Sequence, residues 1–447
     1  MQKNDFTKGK VSSQIIQLAI PMTIAQLISI LYNVVDRIYI GNISGSGSLA
    51  LSGIGLTFPI ITIILAFANL VGMGGAPLSS IERGKEDNEK ASRIMGVSFL
   101  LLCAFGILVP SIIYIIKEPL LYAFGASNDT YVYANDYLSI YLLGSIFVMI
   151  TIGLNSFINA QGFGKQGMIT TLIGAILNII LDPIFIFIFH LGVKGAAMAT
   201  VISQFISMLW TLYFLKSDIA ILRLSKKYMV FDFSLIREII TLGFSGFIMA
   251  ITNSIVQIVC NSTLSFYGGD LYIGIMTIIT SVREMTFMPV TGITHASQPV
   301  MGYNYGAKQY NRVKKGIHFI SIIATVYLLL IWGILFLFPE FFISIFNTDV
   351  EVLRLGVPAF HTYYFGFCFM AFQVCGQSVF IALNKPKHAI FFSIFRKVII
   401  VAPLTLYLPT IPSIGIMGVF LAEPISNVSG GLASYIAMYF SIYRKLN

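Results

Sequence analysis

Charge is scarce in this chain. Only 11% of its 447 residues are Asp, Glu, Lys or Arg, against 57% hydrophobic and 14% aromatic, a balance far from that of a soluble globular domain. No polar stretch is long enough to fold alone: the longest, about 216 to 237, falls short of the roughly 50 residues a domain needs. There is no GxxxxGK[ST] phosphate loop, no HExxH and no Gly-x-Ser-x-Gly elbow, and the five histidines are scattered at 190, 295, 318, 361 and 388. ATP-driven pumping and hydrolytic chemistry are disfavoured, and no enzyme or cofactor is expected. Cys103, Cys260, Cys368 and Cys375 sit in apolar stretches without CxxC spacing, so they read as buried thiols rather than disulfides or metal ligands.

What the chain does have is apolar sequence long enough to cross about 30 Å of hydrocarbon, at roughly 14–40, 49–74, 94–117, 137–160, 166–190, 194–216, 235–262, 271–301, 316–338, 356–382, 388–409 and 415–440. This pattern predicts an all-α integral membrane protein with twelve transmembrane helices. Lys3, Lys8 and Lys10 precede the first run, which is too long for a cleaved signal peptide and is read as retained. With both termini inside, the outer loops hold only Lys117, Lys194 and Arg354 of the 28 basic residues, and Arg37, Arg283, Arg396 and Lys397 lie within segments. That bias predicts a multi-pass protein of the cell's inner membrane with cytoplasmic termini. It also explains the net charge of +9 without nucleic acid, because the basic residues are dispersed over separate inner pieces. A monomer in the lipid bilayer is expected.

The chain repeats itself. Leu49 and Leu271, Pro77 and Pro299, Gly84 and Gly306, Lys90 and Arg312, and Arg93 and Lys315 coincide in one ungapped register, and a shift one residue longer pairs Gly195 with Gly418. The halves, 1–215 and 238–447, read as two pseudo-symmetric six-helix bundles joined by a cytoplasmic linker at 216–237. Six crossings are an even number, so both halves enter from the same side, as in transporters whose halves rock about a central cavity.

Four acids fall at membrane depth: Asp36, Asp182, Glu284 and Glu423. An acid there is costly unless hydrated, paired or protonated, so it marks an ion or substrate path by default. At 1.5 Å per residue, Asp182 lies about 24 Å along the fifth segment and Thr200 about 9 Å along the sixth, and both share the outer half with Asp36. Asn178 is on the face of Asp182 and Asn33 on that of Asp36. Such a group can hold Na+ through oxygen ligands or carry a proton. For Asp36 a local pair with Arg37 is the competing reading. Glu284 has Arg283 beside it on another face, which leaves pairing with a different helix as likely as function. Glu423, followed by Pro424, reads as structural or gating. Asp36 maps onto Cys260, Asp182 onto Ala402 and Thr200 onto Glu423, so the richer polar site is expected in the first half. Pro21 removes a hydrogen bond from helix one and can serve as a hinge. Met285, Met288 and Phe287 can form an adaptable lining, with plain packing the favoured reading, and the charged stretch 79–93 and its counterpart near 303–315 read as solvated inner loops.

Taken together, LAIPMTIAQL with Pro21, NVVDRIYIG with Asp36, GMGGAPLSSIERGK, and NAQGFGKQGMITTLIGAILNIILDPIF resemble the multidrug and toxic compound extrusion family, in particular its MepA-like bacterial branch. The likeness spans essentially the whole chain. It implies export of varied, often cationic amphiphiles by antiport with H+ or Na+, a cation site at Asp36, Asn178, Asp182 and Thr200, and bending at Pro21. Two alternatives compete. A lipid-linked oligosaccharide flippase would need a basic cavity, for which only Arg37, Arg283, Arg396 and Lys397 are on hand. An integral membrane enzyme or channel would need a catalytic constellation or a pore signature.

Overall fold

In hydrocarbon no water satisfies backbone N–H and C=O groups, so each apolar run closes its hydrogen bonds internally as a helix. The computed structural model describes residues 4–43 and 47–446; Lys3 lies outside them. In order come α1 (Val11–Gly41), α2 (Gly47–Gly84), α3 (Asn88–Ala123) and α4 (Asn128–Ala160). α5 (Gly164–Pro183) continues through a wide turn, Ile184–Ile188, before α6 (Gly192–Lys216). The helical stretch Phe233–Gly306 is broken at Gly269, where φ is 66° and ψ −165°, a conformation open to glycine alone. It comprises α7 (233–268) and α8 (270–306). Then follow α9 (Tyr310–Leu337), α10 (Val350–Ala382), α11 (Pro386–Thr410) and α12 (Met417–Ser441).

Among the described residues there is no strand, and ten helical stretches are long and apolar enough to cross a membrane. One of the ten is the Phe233–Gly306 stretch, which Gly269 divides. α12 is outside that group; Glu423, Ser426, Asn427 and three glycines make it less apolar. Residues such as Ile115, Leu143 and Tyr213 are exposed, as suits helices that face lipid. All four cysteines are free, Cys375 buried and the others half-buried.

By their internal contacts the described residues form two compact units, one of residues 4–5 and 20–243, the other of 6–19 and 244–446. The repeat is visible inside each. α2 and α8 are followed by left-handed residues, Glu86 (φ 65°) and Lys308 (φ 57°). The next residue closes a wide turn in both: Asp87 N–H donates to Glu82 O at 3.0 Å, and Gln309 N–H to Asn304 O at 2.8 Å. Gly195 and Gly418 do the same work. A Cβ on Gly195 would come within 2.7 Å of the Phe185 backbone, and one on Gly418 within 2.6 Å of Leu408 Cβ. α6 and α12 thus each cross the preceding helical segment at close contact.

One expectation is corrected. The stretch 79–93 is not a solvated loop, for α2 runs to Gly84 and α3 begins at Asn88. Glu82 and Arg83 are buried. Arg83 donates to Ala160 O at 2.9 Å, and Glu82 accepts from Lys85 at 3.0 Å and Lys90 at 3.1 Å. Both charges find partners within the unit, so helix can persist past the apolar run. Its counterpart is likewise helical to Gly306 and again from Tyr310.

Candidate functional site

Asn178 and Asp182 are four residues apart on α5 and therefore share a face. The Asn178 amide donates one hydrogen to Asp182 Oδ1 at 3.1 Å and the other to Thr200 Oγ1 on α6 at 3.3 Å. Asn178 and Asp182 are buried, and Thr200 is half-buried. Pro183 supplies no N–H, which frees the Ile179 carbonyl, and the chain widens at Ile184–Ile188. Wide turns of this kind are frequent at functional sites. α1 brings Asp36 directly against Asp182.

The two carboxylates face each other as acceptors. Among the described residues Asp36 Oδ1, Asp182 Oδ2 and Asn178 Oδ1 are buried without a hydrogen-bond partner. Three orphaned oxygens beside a threonine hydroxyl fit a hard cation, and the facing carboxylates alone fit a shared proton. Arg37 attracts Asp36 electrostatically, but its guanidinium packs 4.6 Å over the Phe58 ring. The local Asp36–Arg37 pair considered from sequence does not form. Asn33 stays on its own helix, donating to Ser29 O at 2.6 Å.

Three tyrosines escaped the sequence reading. Tyr32 stands beside Asp36 and Asp182, and Tyr137 beside Asp36 and Thr200. Tyr137 stacks on Tyr141 with ring centroids 6.1 Å apart, and both are buried. The signal was available: Tyr137 and Tyr141 are one turn apart in an apolar helix, Tyr32 is one turn before Asp36, and a hydroxyl at membrane depth needs a partner.

In the second unit the positions that map onto the acids are apolar. Cys260 and Ala402 pack together against Val256, Val401 and Ala422. Glu423, which maps onto Thr200, is buried in an ion cluster, accepting from Arg396 at 2.8 Å and from Lys397 at 2.9 and 3.1 Å. Ser426 Oγ donates to Arg396 O at 3.1 Å, a further tie between α11 and α12. Arg283 donates to the Tyr363 hydroxyl at 2.9 Å. Glu284 is exposed, and its ion-pair partner is its neighbour Arg283 at 3.9 Å, not a residue of another helix. Met288 is buried, Met285 exposed, and Phe287 lies edge-on to Phe367 at 6.4 Å. Pro21 is buried within α1, which continues unbroken through it.

Comparison with known proteins shows the family and the fold. The family model described as MatE matches the chain twice, at residues 21–184 and 246–407. The multidrug export protein MepA of Staphylococcus saprophyticus subsp. saprophyticus is 30% identical over 358 residues, covering 78% of this chain and 77% of that protein. MepA of Staphylococcus haemolyticus is 27% identical over 353 residues with the same coverage. Among solved structures, a crystal structure of MATE in the bent conformation superposes with a TM-score of 0.93 over 99% of this chain and 98% of that one, at 22% identity.

Proposed function

The chain belongs to the MatE family, and from that premise we propose that it is a multidrug efflux transporter of the cell membrane. It exports amphiphilic, often cationic compounds in antiport with H+ or Na+, acting as a monomer with both termini in the cytoplasm. The names of the export proteins it resembles support the substrate class. The observation that carries the coupling mechanism is the buried contact between Asp36 and Asp182, with Asn178 and Thr200 completing an oxygen-rich group.

Two carboxylates pressed together away from water repel, and one proton or one Na+ between them removes the repulsion. Cation binding therefore favours the closed approach of α1 to α5, and cation loss favours their separation. That differential affinity is what an ion gradient needs to drive a conformational exchange. α1 is suited to transmit it. Residues 11–19 count with the second unit and the rest with the first, and Pro21, at that boundary, leaves the Gln17 carbonyl without its helical N–H. Tyr32 and Tyr137 line the site and can relay a proton or orient the carboxylates. The halves 1–215 and 238–447, joined through 216–237, act as the two rocking bodies.

The test is accumulation of ethidium by cells expressing the protein. Expressing cells should retain less dye, and the difference should vanish with an uncoupler if H+ is the coupling ion, or in sodium-free medium if it is Na+. Equal retention with and without expression, at verified membrane levels, would refute the assignment.

A further inference from the structure

The second unit contains a cavity of about 680 Å³ near the start of α9, within the range of small-ligand sites. Its rim is basic: Lys10, Arg312, Lys314, Lys315 and His318 line it, and none of the lining residues is an acid. Arg312 builds the rim, for its guanidinium donates to Gly9 O and Phe6 O, both at 2.8 Å, and to Asn304 Oδ1 at 2.9 Å. That clamp fixes the segment before α1 and holds Lys10 in place. Val11 and Ser12, in the first turn of α1, also line the cavity, so the positive end of a long helix opens there with N–H groups free of intrahelical partners. On a third side Lys314 lies 5.6 Å over the Tyr443 ring. Among the described residues, Lys10, Lys314 and Lys315 make no ion pair.

The rest of the lining along α9 is apolar. Phe319, Ile322 and Ile323 continue the lining along α9, reaching about 16 Å beyond Arg312 along the helix axis, and Ile322 is exposed. A free anion has no use for that wall. A ligand that places a phosphate among cations and hydrocarbon along the adjoining helix uses all of it. We propose that this cavity binds the phosphodiester headgroup of an anionic glycerophospholipid, with its acyl chains lying along α9. The site needs only that the membrane face carrying the N-terminal segment be an anionic leaflet; it stands whether or not the transport reading does. Because the cavity holds the base of α1, a bound lipid tethers that helix to α9 and bears on the element that carries Asp36.

The experiment uses the full-length protein, delipidated in detergent, with binding of dioleoyl phosphatidylglycerol and phosphatidylcholine compared by native mass spectrometry. Phosphatidylglycerol should bind in clear preference, and K10Q, K314Q and K315Q should each weaken it about fivefold, the worth of one basic residue near an anionic surface. K226Q/K227Q, in the segment between α6 and α7, should leave binding unchanged, and unfolding temperatures report that each variant is folded. If K10Q or K314Q fails to fold, K315Q alone, at an exposed residue, carries the test. Equal binding of the two lipids, or no loss in K315Q, would overturn the proposal. So would displacement of the lipid by inorganic phosphate at equal concentration, which would make the site one for a free anion.

Discussion

The same helical crossing holds opposite chemistry in the two units. In the first, α1 and α5 press Asp36 against Asp182 with Asn178 donating between helices; in the second, the matching positions on α7 and α11 hold Cys260 and Ala402 in a small apolar cluster. The second unit's buried acid, Glu423, is held by Arg396 and Lys397. A carboxylate pinned by two cations makes a brace, whereas two carboxylates short of donors form a site that something positive must complete. Duplication supplied one scaffold twice, and on the proposed function the side chains divide it into a working half and a supporting half.

The largest effect expected from breaking this contrast is on D36N and D182N, each of which should insert at wild-type levels and lose uphill efflux altogether; vesicle transport at matched expression is the check. A sharper variant copies the second unit into the first. D36C/D182A should remain folded, with an unfolding temperature no lower than wild type, because the same side chains already pack at the same crossing and two buried charges are removed. It should transport nothing against a gradient. A marked loss of stability would mean that the acids are structural.

Glu423 should respond in the reverse sense. E423Q leaves Arg396 and Lys397 without their carboxylate, a cost of about 3–5 kcal/mol for a broken buried pair, read as a lowered unfolding temperature. Coupled transport by the molecules that fold should persist. Loss of coupling at unchanged stability would move the ion site to the second unit.

Much of this was legible in residue order. Helix number followed from apolar run length, and the repeat from pairs such as Gly84 with Gly306 and Gly195 with Gly418, which do equivalent jobs at turns and crossings. Asn178 and Asp182 were readable because four-residue spacing fixes a shared face. Less legible was whatever depended on a partner from elsewhere in the chain. Arg37 packs over Phe58 rather than forming an ion pair with Asp36, and Arg83, near the end of α2, finds the Ala160 carbonyl at the end of α4, which is why helix continued through a charged stretch. The tyrosines around the acids were passed over because 22 tyrosines in an apolar chain look like packing until a hydroxyl is seen beside a carboxylate.

A smaller effect is expected at Pro21. P21A restores the missing N–H and stiffens α1, so turnover should fall severalfold while binding of a fluorescent cation stays near wild type. Parallel loss of both, or no change in efflux, would count against bending there.

The most direct test of the division between the units is cation release on substrate binding. Purified protein in weak buffer is mixed with a saturating cationic dye while H+ and Na+ in solution are followed by electrode. Wild type and E423Q should release one of these cations as the dye binds, and D182N should bind dye and release none. Release from D182N equal to wild type would contradict the account.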